Sequence, residues 1–208
     1  MENDIKTFYD LTAERTAAEW YSNQTLLPSI REFLSLLPAK PRVLDLGCGP
    51  GYESMRLSNE GAEVVGIDFS EANIRIAQER CPGCRFAVMD FRTLDNRFGL
   101  FEGVFASASL IHIAPDAIAA VFQRIAQILK EDGLLLTIVR DGAGINEAMT
   151  DLTVDGVPLR RTVYQYGKEP MIHYAAGNGL QFLQEGRLDP SFQAYGWKSY
   201  LFQKGDGI

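Results

Sequence analysis

The sequence predicts an α/β domain, a doubly wound and mainly parallel seven-stranded sheet that ends in an antiparallel hairpin. Three observations predict it. Short apolar runs alternate with stretches of helical periodicity from Val43 to Val139, and such alternation builds right-handed crossovers into a parallel sheet covered on both faces. A glycine-rich loop, Gly47-Cys48-Gly49-Pro50-Gly51, sits where the first apolar run hands over to a helix. The last two strand-like runs, Leu180–Leu183 and Trp197–Phe202, are joined by a polar connector too short for a crossover helix, so they pair antiparallel.

Each element has its own signal. Leu26, Leu27, Ile30, Phe33, Leu34 and Leu37 recur at helical spacing, and Pro38 and Pro41 stop that helix. Val43-Leu44-Asp45-Leu46 is a buried strand by length and flanks. A helix over Met55–Glu60 ends at Gly61, and Val64–Ile67 is the second strand. Ser70 is placed to N-cap a helix over Glu71–Arg80. Arg85–Met89, Gly103–Ala108 and Leu134–Val139 follow as short apolar strands, with an amphipathic helix over Ala117–Leu129 between the last two. The least regular stretch is Asp141–Lys168, where Val154-Asp155-Gly156-Val157 marks a turn and the tyrosines suggest cover rather than core. A segment rich in breakers, Tyr166–Gly179, predicts a short or shifted helix before the hairpin.

Composition narrows the function classes. At 208 residues, 46% hydrophobic and 23% charged, the chain is expected to form one globular domain rather than a disordered or disulfide-stapled one. Its start, Met1-Glu2-Asn3-Asp4, is polar where a signal peptide is basic and then apolar, and no apolar run nears the roughly 20 residues of a membrane span, so a cytoplasmic protein without membrane contact is expected. A formal net charge of -7, with Arg160-Arg161 the only basic pair, argues against a nucleic-acid partner and suits a cationic ligand. Of the three cysteines, Cys81-Pro82-Gly83-Cys84 follows a helix and precedes a strand, which reads as a turn rather than a redox motif. His112 and His173 lack zinc-finger spacing, and no metal site is expected.

The loop carries the chemistry. Glycines at alternate positions, with an acid at the strand end, let a ligand approach the backbone and the N–H groups of a helix start. A dinucleotide loop requires its third glycine where Tyr52 stands, and no Gly-Lys-Ser/Thr follows for a P-loop. A Gly-x-Gly-x-Gly loop for a ligand without a pyrophosphate remains.

With Phe8-Tyr9-Asp10, Val43–Gly51, Gly66-Ile67-Asp68, Asp90-Phe91-Arg92 and Ala106–His112 in that order, the chain resembles the class I S-adenosylmethionine-dependent methyltransferases, and among them the small-molecule type. The resemblance implies a Rossmann-like fold, S-adenosylmethionine as cofactor with S-adenosylhomocysteine as product, and direct methyl transfer to a small-molecule acceptor. It implies a cofactor site of Tyr9, Asp45, Gly47, Gly49, Gly51, Asp68, Phe69, Asp90, Phe91 and Ala106. In that set Asp68 accepts the ribose hydroxyls, Asp90 the adenine amino group, and Asp45, Gly47 and Ala106 surround the methionine moiety. Asp45 reads equally as a buried acid tying the loop together, and Tyr9 as packing. The implied division is residues 1–40 as a helical cap, 41–140 as the cofactor-binding core, 141–168 as a substrate lid and 169–208 as a helix and hairpin.

His112, just past the fourth strand, is either a base for the acceptor or a tether through a backbone hydrogen bond. Arg160, Arg161, Tyr164 and Tyr166 belong to the expected mobile cover over the acceptor, the arginines orienting an anionic group or standing as solvated charge. Ala106-Ser107-Ala108 stands where cysteine-nucleophile enzymes carry Pro-Cys, and the amino-methylating Asn/Asp-Pro-Pro-Tyr/Phe signature is absent. A protein or RNA methyltransferase, and a module that holds the cofactor without turnover, are the rival readings.

Overall fold

The computed structural model describes residues 2–205, with the side chains of residues 2–4, 146–151 and 160 outside the description. A long helix α1 (Glu2–Trp20) and α2 (Leu27–Ser35) precede β1 (Arg42–Leu46), α3 (Tyr52–Asn59), β2 (Glu63–Asp68), α4 (Glu71–Arg80) and β3 (Arg85–Val88). Then come β4 (Phe101–Ser107), α5 (Ile118–Ile128), β5 (Leu129–Arg140), β6 (Ala143–Val154), β7 (Val157–Tyr166), α6 (Lys168–Ala176), β8 (Leu180–Glu185), α7 (Pro190–Ala194) and β9 (Trp197–Lys204). Seven strands form one sheet in the order β3-β2-β1-β4-β5-β9-β8. The first five run parallel, β9 is antiparallel to β5 through Leu136↔Leu201, and β8 is antiparallel to β9 through Phe182↔Phe202.

Strict alternation along buried strands sorts the core onto two faces. Val43, Val64, Phe105 and Leu136 point to the face covered by Ile30 and Phe33 of α2 and Leu57 of α3. Leu44, Val65, Val104 and Leu135 point to the other, where the stripe Ile118, Val121, Phe122, Ile125 and Ile128 of α5 is wholly buried. Ser70 caps α4 as its sequence requires, its Oγ accepting from the Asn73 N–H at 3.1 Å. The strand order reverses between β1 and β4, which opens a crevice over the carboxyl ends of the strands.

Three expectations need correction. Asp141–Lys168 is not irregular: β6 and β7 pair as a separate two-stranded antiparallel ribbon. A register shift between Met149 and Thr153 breaks the period-2 pattern that would have shown it. Its turn is the expected one, with Asp155 and Gly156 both at positive φ, 51° and 80°. Tyr166 is core rather than cover, 2% exposed and donating its hydroxyl proton to the Ile113 carbonyl. The connector of the C-terminal hairpin holds the short helix α7. Cys81 and Cys84 flank a turn as free thiols with their sulfurs 3.1 Å apart. Among the described residues, no helix is long and apolar enough to cross a membrane.

Candidate active site

A cavity of about 760 Å³ lies over the carboxyl ends of β1 to β4, roofed by α1 and by β7. Its floor is the glycine loop. Gly47 and Cys48 both donate their N–H to the Ile67 carbonyl at 2.9 Å, which folds the loop back over β2. Gly47 sits at φ 74°, and a Cβ there would lie 2.6 Å from the Ser109 Cβ, so only glycine lets the loop close on the end of β4. Gly49 has the opposite surroundings: a Cβ there would meet nothing within 4 Å. Its bare backbone faces open space.

Asp68 holds the loop from the end of β2. One carboxylate oxygen accepts from the Gly49 N–H at 2.9 Å and the other from the Ser70 N–H at 2.8 Å. Burial pushes its pKa up to about 6. The Asn73 amide also donates to it at 3.4 Å, so of a carboxylate's roughly four lone-pair sites one remains for a donor entering the cavity. Asp45 lies behind the loop and not on the cavity wall: it accepts from Ser54 Oγ at 2.6 Å, and burial pushes it up to about 7. Of its two readings, this position fits the acid that ties the loop. Glu53 does line the cavity, pushed up to about 8 by burial although Arg56 lies 3.3 Å away.

At the far end, Asp90 caps a short 3₁₀ turn, Phe91–Thr93, by accepting from the Arg92 N–H at 2.8 Å. Burial there would raise the Asp90 pKa, but the hydrogen bonds and charge of Arg92 outweigh it and hold the carboxyl below its usual range. Phe91 both lines the cavity and packs in the core. Phe69 meets the Tyr9 ring edge-on with centroids 6.0 Å apart.

The opposite wall is a side-chain cluster. Tyr9 of α1 is 2.6 Å from His112 Nε2, and His112 Nδ1 is 3.2 Å from the Thr162 carbonyl of β7. A carbonyl only accepts, so Nδ1 carries the proton and Nε2 accepts from the Tyr9 hydroxyl. Arg161 Nη2 donates to the same Tyr9 oxygen at 3.2 Å. Burial first, and the Arg161 charge second, push His112 down to about 4. Both ring nitrogens are committed, which fits the tether rather than the base, although the tether joins the ribbon and not its own loop.

The structure thus brings Tyr9, Gly47, Gly49, Asp68, Phe69, Asp90, Phe91, His112, Arg161 and Tyr164 to one cavity. Asp45, Gly51, Ala106 and Tyr166 stand outside its lining, and the Arg160 side chain lies outside the described residues. Sequence reasoning missed Thr12, Thr16, Glu19 and Trp20 on α1, and Phe192 and Trp197 at the carboxyl end. For α1 a signal existed. Ile5, Phe8, Tyr9, Thr12, Thr16, Glu19 and Trp20 recur at three- and four-residue spacing, a helical face of mixed polarity.

Residues 43–133 match the methyltransferase domain family. Among curated proteins, the putative methyltransferase YqeM of Bacillus subtilis is 33% identical over 122 residues, 56% of this chain and 49% of that protein. The magnesium-protoporphyrin O-methyltransferase of Rhodobacter capsulatus is 31% identical over 135 residues, 56% of this chain and 60% of that one. The chain spans about half the length of such relatives. Among solved structures, the 1,6-didemethyltoxoflavin-N1-methyltransferase of Burkholderia thailandensis, with bound 1,6-didemethyltoxoflavin and S-adenosylhomocysteine, covers 99% of this chain and 89% of its own at 18% identity and a TM-score of 0.77, a likeness of fold. The matched residues 43–133, which carry the glycine loop and the acids at the ends of β2 and β3, are thus similar to a methyltransferase domain, and the solved structure shares the fold of the whole chain.

Proposed function

We propose that the protein is an S-adenosylmethionine-dependent methyltransferase that moves a methyl group by direct in-line displacement to a small-molecule acceptor. One observation carries the reading: a single cavity runs from Asp68 and Asp90, past the glycine loop, to the Tyr9–His112–Arg161 cluster. Its volume of about 760 Å³ lies in the upper part of the range for small-molecule sites, roughly 300–1,000 Å³. The residues fit the cofactor. Gly49 leaves open space against bare backbone, and Ser109 Oγ beside the loop is buried without a partner.

In this reading Asp68 accepts from the ribose diol, through the lone pair that Gly49, Ser70 and Asn73 leave free. Asp90 accepts the adenine amino group between Phe69 and Phe91, and the loop backbone lies along the methionine moiety. When bound, the cofactor supplies an electrophilic methyl on a sulfonium, whose positive charge the ionised Asp68 favours. The acceptor's lone pair forms the new bond to the methyl carbon as the carbon–sulfur bond breaks, and its electron pair stays on sulfur. The chain contributes orientation and exclusion of water, with α1 and β7 closing the cavity. The Tyr9 hydroxyl spends its hydrogen bond on His112 and accepts from Arg161, so it has no proton to offer an acceptor. The same reading makes the protein cytoplasmic, which suits cysteines that are free thiols.

Labelled S-adenosylmethionine incubated with separate small-molecule, peptide and RNA pools tests it. The expected result is label in a low-mass product. Label in peptide or RNA would replace the acceptor class, and binding without transfer to any pool would favour a module that only holds the cofactor.

A further inference from the structure

Arg161 is a cation that cofactor binding leaves unused. It enters the cavity from β7, and its guanidinium centre lies 5.3 Å from the centroid of the Phe8 ring and 5.8 Å from that of Tyr9. Nη2 donates to Tyr9 at 3.2 Å, whereas Nε is buried with no partner at all. Arg92 on the same lining is matched differently, by Asp90, and the lining acid Glu53 pairs with Arg56 behind it. No carboxylate among the described residues pairs with Arg161. A buried charged donor left without an acceptor is costly, and the stacking on Phe8 and Tyr9 holds this one in a fixed plane.

Two further facts favour an anion as its missing partner. His112 has both nitrogens engaged, with Tyr9 and with the Thr162 carbonyl, so the wall offers no free base to deprotonate a neutral acceptor. An acceptor that arrives ionised needs none. A planar guanidinium with spare donors also matches the two oxygens of a carboxylate better than any neutral group. Tyr164 and Trp197 line the same cavity and offer aromatic surface for an apolar body.

Resting on the methyltransferase reading, we propose that the acceptor is a small carboxylate with an aromatic or otherwise apolar body, and that Arg161 is the specificity-determining residue whose guanidinium grips the carboxylate.

The test uses the full chain and begins with S-adenosylhomocysteine. If the wild type does not bind that ligand, the methyltransferase reading itself fails and this inference with it. With the protein saturated, benzoate, cinnamate and indole-3-acetate are each titrated against their primary amides by calorimetry. At least one carboxylate should bind about tenfold or more tightly than its amide, the margin of a charge-assisted contact. In Arg161→Gln that preference should fall below about twofold while S-adenosylhomocysteine affinity stays within about twofold. Arg161→Lys, which keeps the charge and loses the planar fork, should give an intermediate preference and serves alone if the glutamine variant does not fold. Amides that bind as well as carboxylates, no binding by any carboxylate, or a preference that survives either substitution unchanged would overturn the assignment.

Discussion

The two halves of the cavity are built in different ways. The floor is made of backbone: the Gly47 and Cys48 N–H groups on the Ile67 carbonyl, and the Gly49 N–H on Asp68, all within about two strands and their loops. The opposite wall is made of side chains from distant parts of the chain, with Tyr9 joined to His112 across 103 residues and to Arg161 across 152. A backbone cradle serves one ligand with fixed geometry, whereas converging side chains on a helix and a ribbon are free to vary with the acceptor. Damage to the floor should therefore abolish cofactor binding, and damage to the wall should spare it.

The largest effect is expected at Gly47. Gly47→Ala forces a left-handed alanine whose Cβ lies 2.6 Å from that of Ser109, and strain plus overpacking should cost roughly 2–5 kcal/mol. Thermal unfolding should show it, together with loss of S-adenosylhomocysteine binding; a stable variant with normal affinity would break the contrast between floor and wall.

Next is Asp68→Ala, expected to weaken S-adenosylhomocysteine by about 10- to 150-fold, or roughly 1.5–3 kcal/mol, the worth of hydrogen bonds to a charged group. Calorimetry on this variant beside Tyr9→Phe sharpens the comparison, because only the floor variant should lose affinity. Equal losses would merge the two regions into one site.

Acidity provides a third effect. Asp68, pushed up to about 6 by burial, carries its proton through more of the acid range than an exposed aspartate and must be ionised to accept the ribose hydroxyls at full strength. The groups around it are Gly49, Ser70 and Asn73 as donors and Asp10 as a neighbouring charge. S-adenosylhomocysteine affinity should be flat above pH about 7 and fall below pH about 6, by up to about tenfold per unit. The unliganded protein should show the opposite trend. A raised carboxyl pKa means the folded state binds more protons than the unfolded one, so stability should fall as pH rises from the ordinary aspartate value through about 6, and level off above. Affinity unchanged down to pH 5 would remove Asp68 from the ligand.

Smallest is Tyr9→Phe, which leaves His112 Nε2 without its donor and should cost about 1–2 kcal/mol of stability. Cofactor affinity within about threefold of wild type is expected by titration. A larger loss would move Tyr9 from the wall to the floor.

The contrast also explains what the sequence disclosed. A backbone cradle needs glycine at fixed spacing and acids at strand ends, so the placing of Gly47, Gly49 and Asp68 at one cavity was readable from position, as was the sheet that carries them, whereas Asp90 was read from the family resemblance. The ribbon was not, because its register shift between Met149 and Thr153 breaks the alternation that marks a strand. Phe192 and Trp197 left no pattern either: they reach the cavity only after the chain has folded, with Phe192 packing edge-on against Trp20 of α1 across centroids 6.0 Å apart. Asp45 shows the limit inside the readable half, since a residue at a cavity's edge and one behind its loop share the same place in the sequence.

Titration of Gly49→Ala beside the wild type, with S-adenosylhomocysteine and NADH as ligands, tests the central claim most directly. A Cβ at Gly49 meets nothing within 4 Å in the free protein, but the residue sits at φ 53°, so alanine there carries about 1–2 kcal/mol of left-handed backbone strain and should lower the melting temperature by only a few degrees. The account predicts saturable S-adenosylhomocysteine binding to the wild type, no preference for NADH, and an affinity at least about tenfold weaker in Gly49→Ala, a difference of about 1.4 kcal/mol. Tighter binding of NADH than of S-adenosylhomocysteine, or Gly49→Ala binding as well as the wild type, would contradict it.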